Sequence, residues 1–150
     1  MANLTPGYAD DPFDLNRFVQ AQASVYADVL AELSAGCKRS HWMWFVFPQI
    51  DGLGLSATTK RYSIKSHGEA HAYLAHPLLG ERLLECTRAV LAVEGRTAFE
   101  IFGSPDDMKL QSSMTLFAAI SPAGSEFVAL LDKYFNGKRD PRTVGVIRAT

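Results

Sequence analysis

Three times in this chain a serine or threonine is followed, three places on, by an acidic residue at the head of a helical pattern: Ser66 with Glu69, Thr97 with Glu100, and Ser104 with Asp107. At that spacing the hydroxyl accepts from a free N–H of the first turn, and the carboxylate reaches back to the capping N–H. Each pair therefore predicts a helix start. Three such starts in a short chain constrain it to an all-α fold.

The apolar periodicity fills in the rest. From Asp14, the positions Leu15, Phe18, Val19, Val25, Tyr26, Val29, Leu30 and Leu33 recur at three- and four-residue steps, which predicts one helix with Gly36 as its C′ residue. Ser40 is placed to cap a short helix through "HWMWFVF", ended at Pro48, and "DGLGLSATTKRYS" reads as a loop by its Gly, Ser and Thr content. Pro77 opens "PLLGERLLECTRAVLAVE", whose Leu79, Leu83, Cys86 and Val90 share a face despite Gly80, and Gly95 ends it. Pro105 suits the first position of "PDDMKLQSSMTLFAAI"; "EFVALLDKYF" closes at Asn136 and Gly137, and "DPRTVGVI" adds a final short turn. The expectation is a compact single-domain bundle of six to eight helices over residues 13–150. A flexible lead-in occupies 1–12, and a Gly-containing loop lies around 51–60.

Bulk properties exclude several classes. A chain of 150 residues can bury roughly 70% of its unfolded surface, so it needs no staples. Fifteen Lys plus Arg against sixteen Asp plus Glu leave no field for general nucleic-acid binding or an anionic membrane. The apolar run Trp42–Phe47 is far short of the roughly 20 residues that span a bilayer, and no basic stretch followed by an apolar one opens the chain. A cytoplasmic protein without a membrane segment is expected. Cys37 and Cys86 have no CxxC spacing and are read as free thiols.

Four places can carry chemistry. His67 and His71, four apart on one helical face, have a metal-ligand spacing, but no HExxH or paired-cysteine pattern supplies further donors, and no metal is expected. His76 is read as a cap of the helix after Pro77. In the loop, Gly52 and Gly54 let backbone N–H groups approach a ligand, and Ser56, Thr58, Thr59, Lys60, Arg61 and Tyr62 can coordinate a phosphate or carboxylate; the competing reading is an ordinary surface connection. The third glycine of a dinucleotide fingerprint is missing. Lys109 with Ser112 or Ser113 has the spacing of a Ser–Lys dyad, which requires a desolvated, neutral lysine. Lastly, "SHWMWFVFPQ" is either an aromatic platform or a buried turn. The buried turn is favoured, with only its ends, His41 and Gln49, facing a cleft. Trp44 is then a core residue whose loss costs about 3–5 kcal/mol.

The stretches "GCKRSHWMWFVFPQIDGLGLS", "YSIKSHGEAHAYLAHPLLGERL" and "IFGSPDDMKLQSSMTLF" resemble the successive motifs of domain-of-unknown-function family 1810, from about Asp14 to Ile147. The resemblance implies a compact, mainly helical domain and brings no established activity. Bacterial proteins similar to this one are sometimes labelled calpastatin. Calpastatin segments are repeated and disordered until bound, whereas this chain is non-repeating and rich in core residues. A fainter likeness joins "RFVQAQASVY" to the "YFQAQKF" helix of NADAR proteins, which cleave glycosidic bonds in ADP-ribose-type nucleotides. That likeness implies Gln20 and Gln22 as cleft residues. The chain lacks the acidic "SEH" before the helix and the lysine after "QAQ", so Glu69 or Asp107 would have to supply the carboxylate.

The expected function is binding of a small polar or nucleotide-like ligand near residues 41–62, by His41, Trp44, Gln49, Gly52, Gly54, Lys60, Tyr62, Lys109 and Ser113, without a cofactor. The alternatives are a non-catalytic protein-interaction module and a NADAR-like hydrolase of N-glycosidic bonds. Catalytic residues and any protein partner are left open.

Overall fold

A computed structural model describes residues 11–149; the lead-in expected at 1–12 lies, up to residue 10, outside the described residues. Among the described residues the chain forms ten α-helices and no strand. They are α1 (Asn16–Ala23), α2 (Tyr26–Ser34), α3 (Met43–Val46), α4 (Ala57–Tyr62) and α5 (His67–Ala75), followed by α6 (Leu79–Ala92), α7 (Ala98–Phe102), α8 (Asp106–Ala119), α9 (Glu126–Phe135) and α10 (Pro141–Ala149). The all-α class is as expected, with more helices than six to eight.

The extra helices come from two places. The single helix expected across 14–33 is two, because the chain leaves helical geometry at Val25 (φ −120°), a β-branched residue after a serine and a poor helix former. The apolar period survives the break, since Phe18, Val29 and Leu33 all enter one core. In the second place, the loop around 51–60 stops at Ser56, whose hydroxyl accepts from the Thr59 N–H at 3.1 Å and starts α4. No acidic residue completes that cap into a box.

Of the three predicted boxes, only Thr97 with Glu100 closes reciprocally. Ser66 does cap α5, yet Glu69 accepts instead from the Lys65 N–H and from Arg17. Ser104 caps nothing: Pro105 takes the N-cap position and the Asp107 N–H donates to the Gly103 carbonyl at 2.9 Å. Ser40 is likewise no cap. Its hydroxyl donates to Glu32, and Trp42 precedes the one-turn α3. His76 caps α6 as expected, its Nδ1 accepting from the Leu78 and Leu79 N–H groups.

Helix α8 runs through the middle of the core, with Leu110 and every residue from 112 to 118 buried. It packs on α7, α9 and α10, while α6 packs on α2, α5 and α9. A helix buried on so many sides has little water for its hydroxyls, and two of its three find partners within the protein. Thr115 donates to the Gln111 carbonyl at 2.7 Å, and Ser112 donates to Asp140 at 2.7 Å, which docks α10. Gly80 is fixed by close approach rather than by conformation: a Cβ there would sit 2.1 Å from the Leu74 carbonyl oxygen at the α5–α6 corner.

Cys37 and Cys86 are free, and burial pushes the Cys86 thiol up to about 12 despite a hydrogen bond with Tyr26. No helix among the described residues is long and apolar enough to cross a membrane.

Candidate functional site

The segment 49–64 is a closed excursion. Ile50 and Ile64 form a parallel bridge, with the Asp51 N–H donating to Ile64 at 2.8 Å and the Ile64 N–H donating to Gln49 at 2.7 Å. The bridge sets Gln49 beside the end of α4, where Tyr62 and Ser63 lie. On the other side of Gln49 stands α3, and over it comes the first turn of α8. The three segments enclose a cleft lined by Met43, Trp44, Phe47, Gln49, Thr59, Tyr62, Ser63 and Lys109.

Helical geometry sorts the aromatic stretch within this cleft. Trp42 and Val46 turn into the core at 1% and 2% exposure, while Trp44 is only half-buried and faces the cleft. The Lys109 ammonium lies 5.0 Å from the centre of the Trp44 ring. The expected division of "SHWMWFVFPQ" is therefore corrected: Trp44, and not only the ends of the stretch, reaches the concavity, and Trp42 is the core tryptophan. His41 is exposed and outside the lining.

Four of the nine expected residues, Trp44, Gln49, Tyr62 and Lys109, thus meet in one place. Gly52 is exposed at φ +101°, a conformation that favours glycine, and does not line the cleft. Gly54 supports it indirectly, since a Cβ there would meet the Thr59 methyl at 2.6 Å. Lys60 points to solvent outside the lining. Ser113 is buried in α8 one turn beyond Lys109, and its hydroxyl has no hydrogen-bond partner. No Ser–Lys dyad is formed: the Ser112 hydroxyl is engaged by Asp140 and the Met108 carbonyl, and the Ser113 hydroxyl makes no hydrogen bond to Lys109. Ser63, which donates to Asp51 at 2.7 Å, carries no motif or spacing that marks it as a lining residue.

An unpartnered buried hydroxyl costs about 1–3 kcal/mol. Ser113→Ala is accordingly expected to raise stability by about 1 kcal/mol, read as a higher urea midpoint at unchanged slope. A lower midpoint would show that the hydroxyl is satisfied after all.

The residues expected from the NADAR likeness lie elsewhere. Gln22 is a buried tie, donating to the Phe45 carbonyl at 2.7 Å and accepting from Arg82, and Gln20 is exposed. Glu69 is locked to Arg17, and Asp107 accepts from the Met108 N–H. The cleft lining contains no carboxylate.

The cleft's free interior is tight, about 10 Å³, enough for one water-sized group. A roomier surface groove of about 560 Å³ lies along α2 and α6, but apart from the exposed Glu81 its polar groups are committed. There Tyr26 bonds Glu85, Arg82 stacks 4.4 Å from the Tyr26 ring, and Arg88 pairs with Glu126. In the small cleft the opposite holds: among the described residues the Trp44 indole N–H, the Gln49 amide, the Tyr62 hydroxyl and the Lys109 ammonium make no hydrogen bond.

Comparison with known proteins places the chain in a family. No curated protein matches the chain. The crystal structure of the conserved hypothetical protein Rv1873 from Mycobacterium tuberculosis superposes with a TM-score of 0.91 at 61% identity, covering 93% of this chain and 100% of that one. The family model described as a protein of unknown function (DUF1810) matches residues 12–147, and the chain belongs to that family.

Proposed function

We propose that the chain binds a small, planar, polar ligand in the cleft between α3, the 49–63 excursion and the first turn of α8. One contrast supports this reading. Every other buried or half-buried tryptophan, tyrosine and glutamine among the described residues has a hydrogen-bond partner in the protein: Trp42 donates to Glu32 at 2.9 Å, Tyr134 to the Val90 carbonyl at 2.6 Å, and Gln111 to the Lys138 carbonyl at 3.0 Å. Among the described residues, it is in this cleft that an indole, an amide, a phenol and an ammonium converge without a hydrogen-bond partner in the protein, open to solvent or a ligand. Clefts of that composition suit a ring that stacks on the indole and exchanges hydrogen bonds at its edge.

Titration with AMP, ADP-ribose and nicotinate, followed by indole fluorescence and amide chemical shifts, is expected to give a saturable change at Trp44, Gln49 and Tyr62. Gln49→Ala should weaken binding by about tenfold or more, as loss of a cleft hydrogen bond does, while leaving the thermal midpoint within a few degrees. No spectral change with any of these compounds would overturn the proposal. The absence of a carboxylate from the lining favours binding over glycosidic hydrolysis, which needs an acid or nucleophile at the bond.

A further inference from the structure

From the charge balance around α8 we infer that the ligand of this cleft carries an anionic group, and that Lys109 is both its receptor and the plug that closes the site in its absence. The inference rests on the binding reading above and adds the chemical class of the ligand.

Lys109 is the one charged side chain in the lining. Its ammonium is poorly compensated. Asp106, one turn earlier on α8, lies 3.8 Å away, beyond hydrogen-bond distance, and gives its closer contact to Lys38 at 2.9 Å. Lys38 is almost enclosed, with 6% of its side chain exposed, and is held further by the Ser40 carbonyl and by the face of Trp42 at 4.9 Å. One carboxylate therefore serves two lysines, and the buried lysine has the better share. Asp107 does not make up the difference, since it accepts from the Met108 N–H and pairs with neither lysine. Asp51 reaches the cleft only through the hydroxyl of Ser63.

With one weak ion pair, Lys109 rests against the Trp44 ring, where a cation gains modest attraction from the π face. That position is also where a planar ligand would stack. The cleft is consequently too small for a ring until Lys109 swings away. A neutral ring arriving at Trp44 would displace the ammonium from its π contact and offer nothing in return. A ring bearing a phosphate or carboxylate supplies the missing counter-ion as it takes the indole, forming a charge-assisted contact stronger than the one it replaces. The closed cleft thus selects planar anions by coupling entry to the exchange of Asp106 for the ligand's charge.

The test uses two pairs of compounds that share a ring and differ in charge: adenosine with AMP, and nicotinamide with nicotinate. Binding to the full chain is measured by calorimetry, with Trp44 fluorescence in parallel. The anionic member of at least one pair is expected to bind about tenfold or more tightly, in the range of a charge-assisted hydrogen bond, and which pair shows it separates a phosphate from a carboxylate. Lys109→Met, similar in length and neutral, should erase the preference while opening the indole. Lys109→Arg should keep it. Asp106→Asn, by removing the resting counter-ion, should tighten binding of the anion. Equal binding of charged and neutral members, or a preference that survives in Lys109→Met, overturns the inference and leaves the cleft a binding site. If neither member of either pair binds, the cleft reading fails and the inference falls with it.

Discussion

Replacing Glu69 with Ala is expected to cost about 3–5 kcal/mol of stability, the scale for removing one partner of a buried ion pair. Glu69 is 1% exposed and meets Arg17, itself 9% exposed, at 2.7 Å. Arg17 spends its guanidinium on five contacts: besides Glu69, it donates to the carbonyls of Phe13, Asp14, Arg61 and Ser63. It thereby ties α1 to the C-terminal end of α4, beside the cleft. Without Glu69 the arginine remains buried with its charge uncompensated, and the Lys65 N–H also loses its acceptor. Chemical denaturation of Glu69→Ala, compared with the double change Arg17→Met and Glu69→Leu, separates the cost of a broken pair from the value of the pair. The double variant should recover the part of the loss that comes from a stranded buried charge, but not the hydrogen bonds that Arg17 gives to four carbonyls or the one that Glu69 accepts from Lys65. A single variant within 1 kcal/mol of the parent would show the pair to be dispensable. The same commitment explains why Glu69 is unavailable as a catalytic acid.

The helical class was legible because it is written in local chemistry: caps, a 3.6-residue period and glycine stops act within a few residues. Some departures are local too, such as the break at Val25 and the Ser56 cap, but at two of the most consequential positions the deciding contact lies outside the helix that the sequence describes. Glu69 has the spacing of a capping box, but Arg17, fifty-two residues earlier, takes its carboxylate. Gly80 looks like a tolerated weakness inside a helix, and only the approach of the Leu74 carbonyl shows why a larger residue is excluded. The same holds at the cleft. The aromatic stretch, Gln49 and Tyr62 stand close in sequence, and that proximity groups them; Lys109, expected at the same site, stands far along the chain, and its contact with the Trp44 ring belongs to the fold alone. Whether a tryptophan faces inward or into a cleft depends on a single two-residue step along the helix, from Trp42 to Trp44, which composition cannot resolve in a segment apolar on all sides.

That single step is open to direct measurement. Trp42→Ala is expected to cost about 3–5 kcal/mol and Trp44→Ala roughly 1–2 kcal/mol, because the penalty follows the apolar area withdrawn from water. Trp42 is 1% exposed and packs against Phe47 and Phe102, with ring centres 6.3 and 6.5 Å away. Its indole N–H is one of four donors on the Glu32 carboxylate, with the Ser40 hydroxyl at 2.6 Å and the backbone N–H groups of Arg39 and Ser40. Burial pushes the Glu32 carboxyl up, but these four donors outweigh it and bring it down from 4.5 to about 2. A carboxyl depressed by folding contributes stability that is fully present above about pH 4.5 and is lost as pH falls towards 2. Trp42→Phe keeps most of the packing and removes one donor, so the acid side of its stability curve should move to higher pH. Trp44→Phe should leave that limb in place, because Trp44 makes no contact with Glu32. If the two variants shift the acid limb equally, or if Trp44→Ala is the more damaging truncation, the assignment of Trp42 to the core and Trp44 to the cleft fails, and with it the stacking surface on which the ligand reading depends.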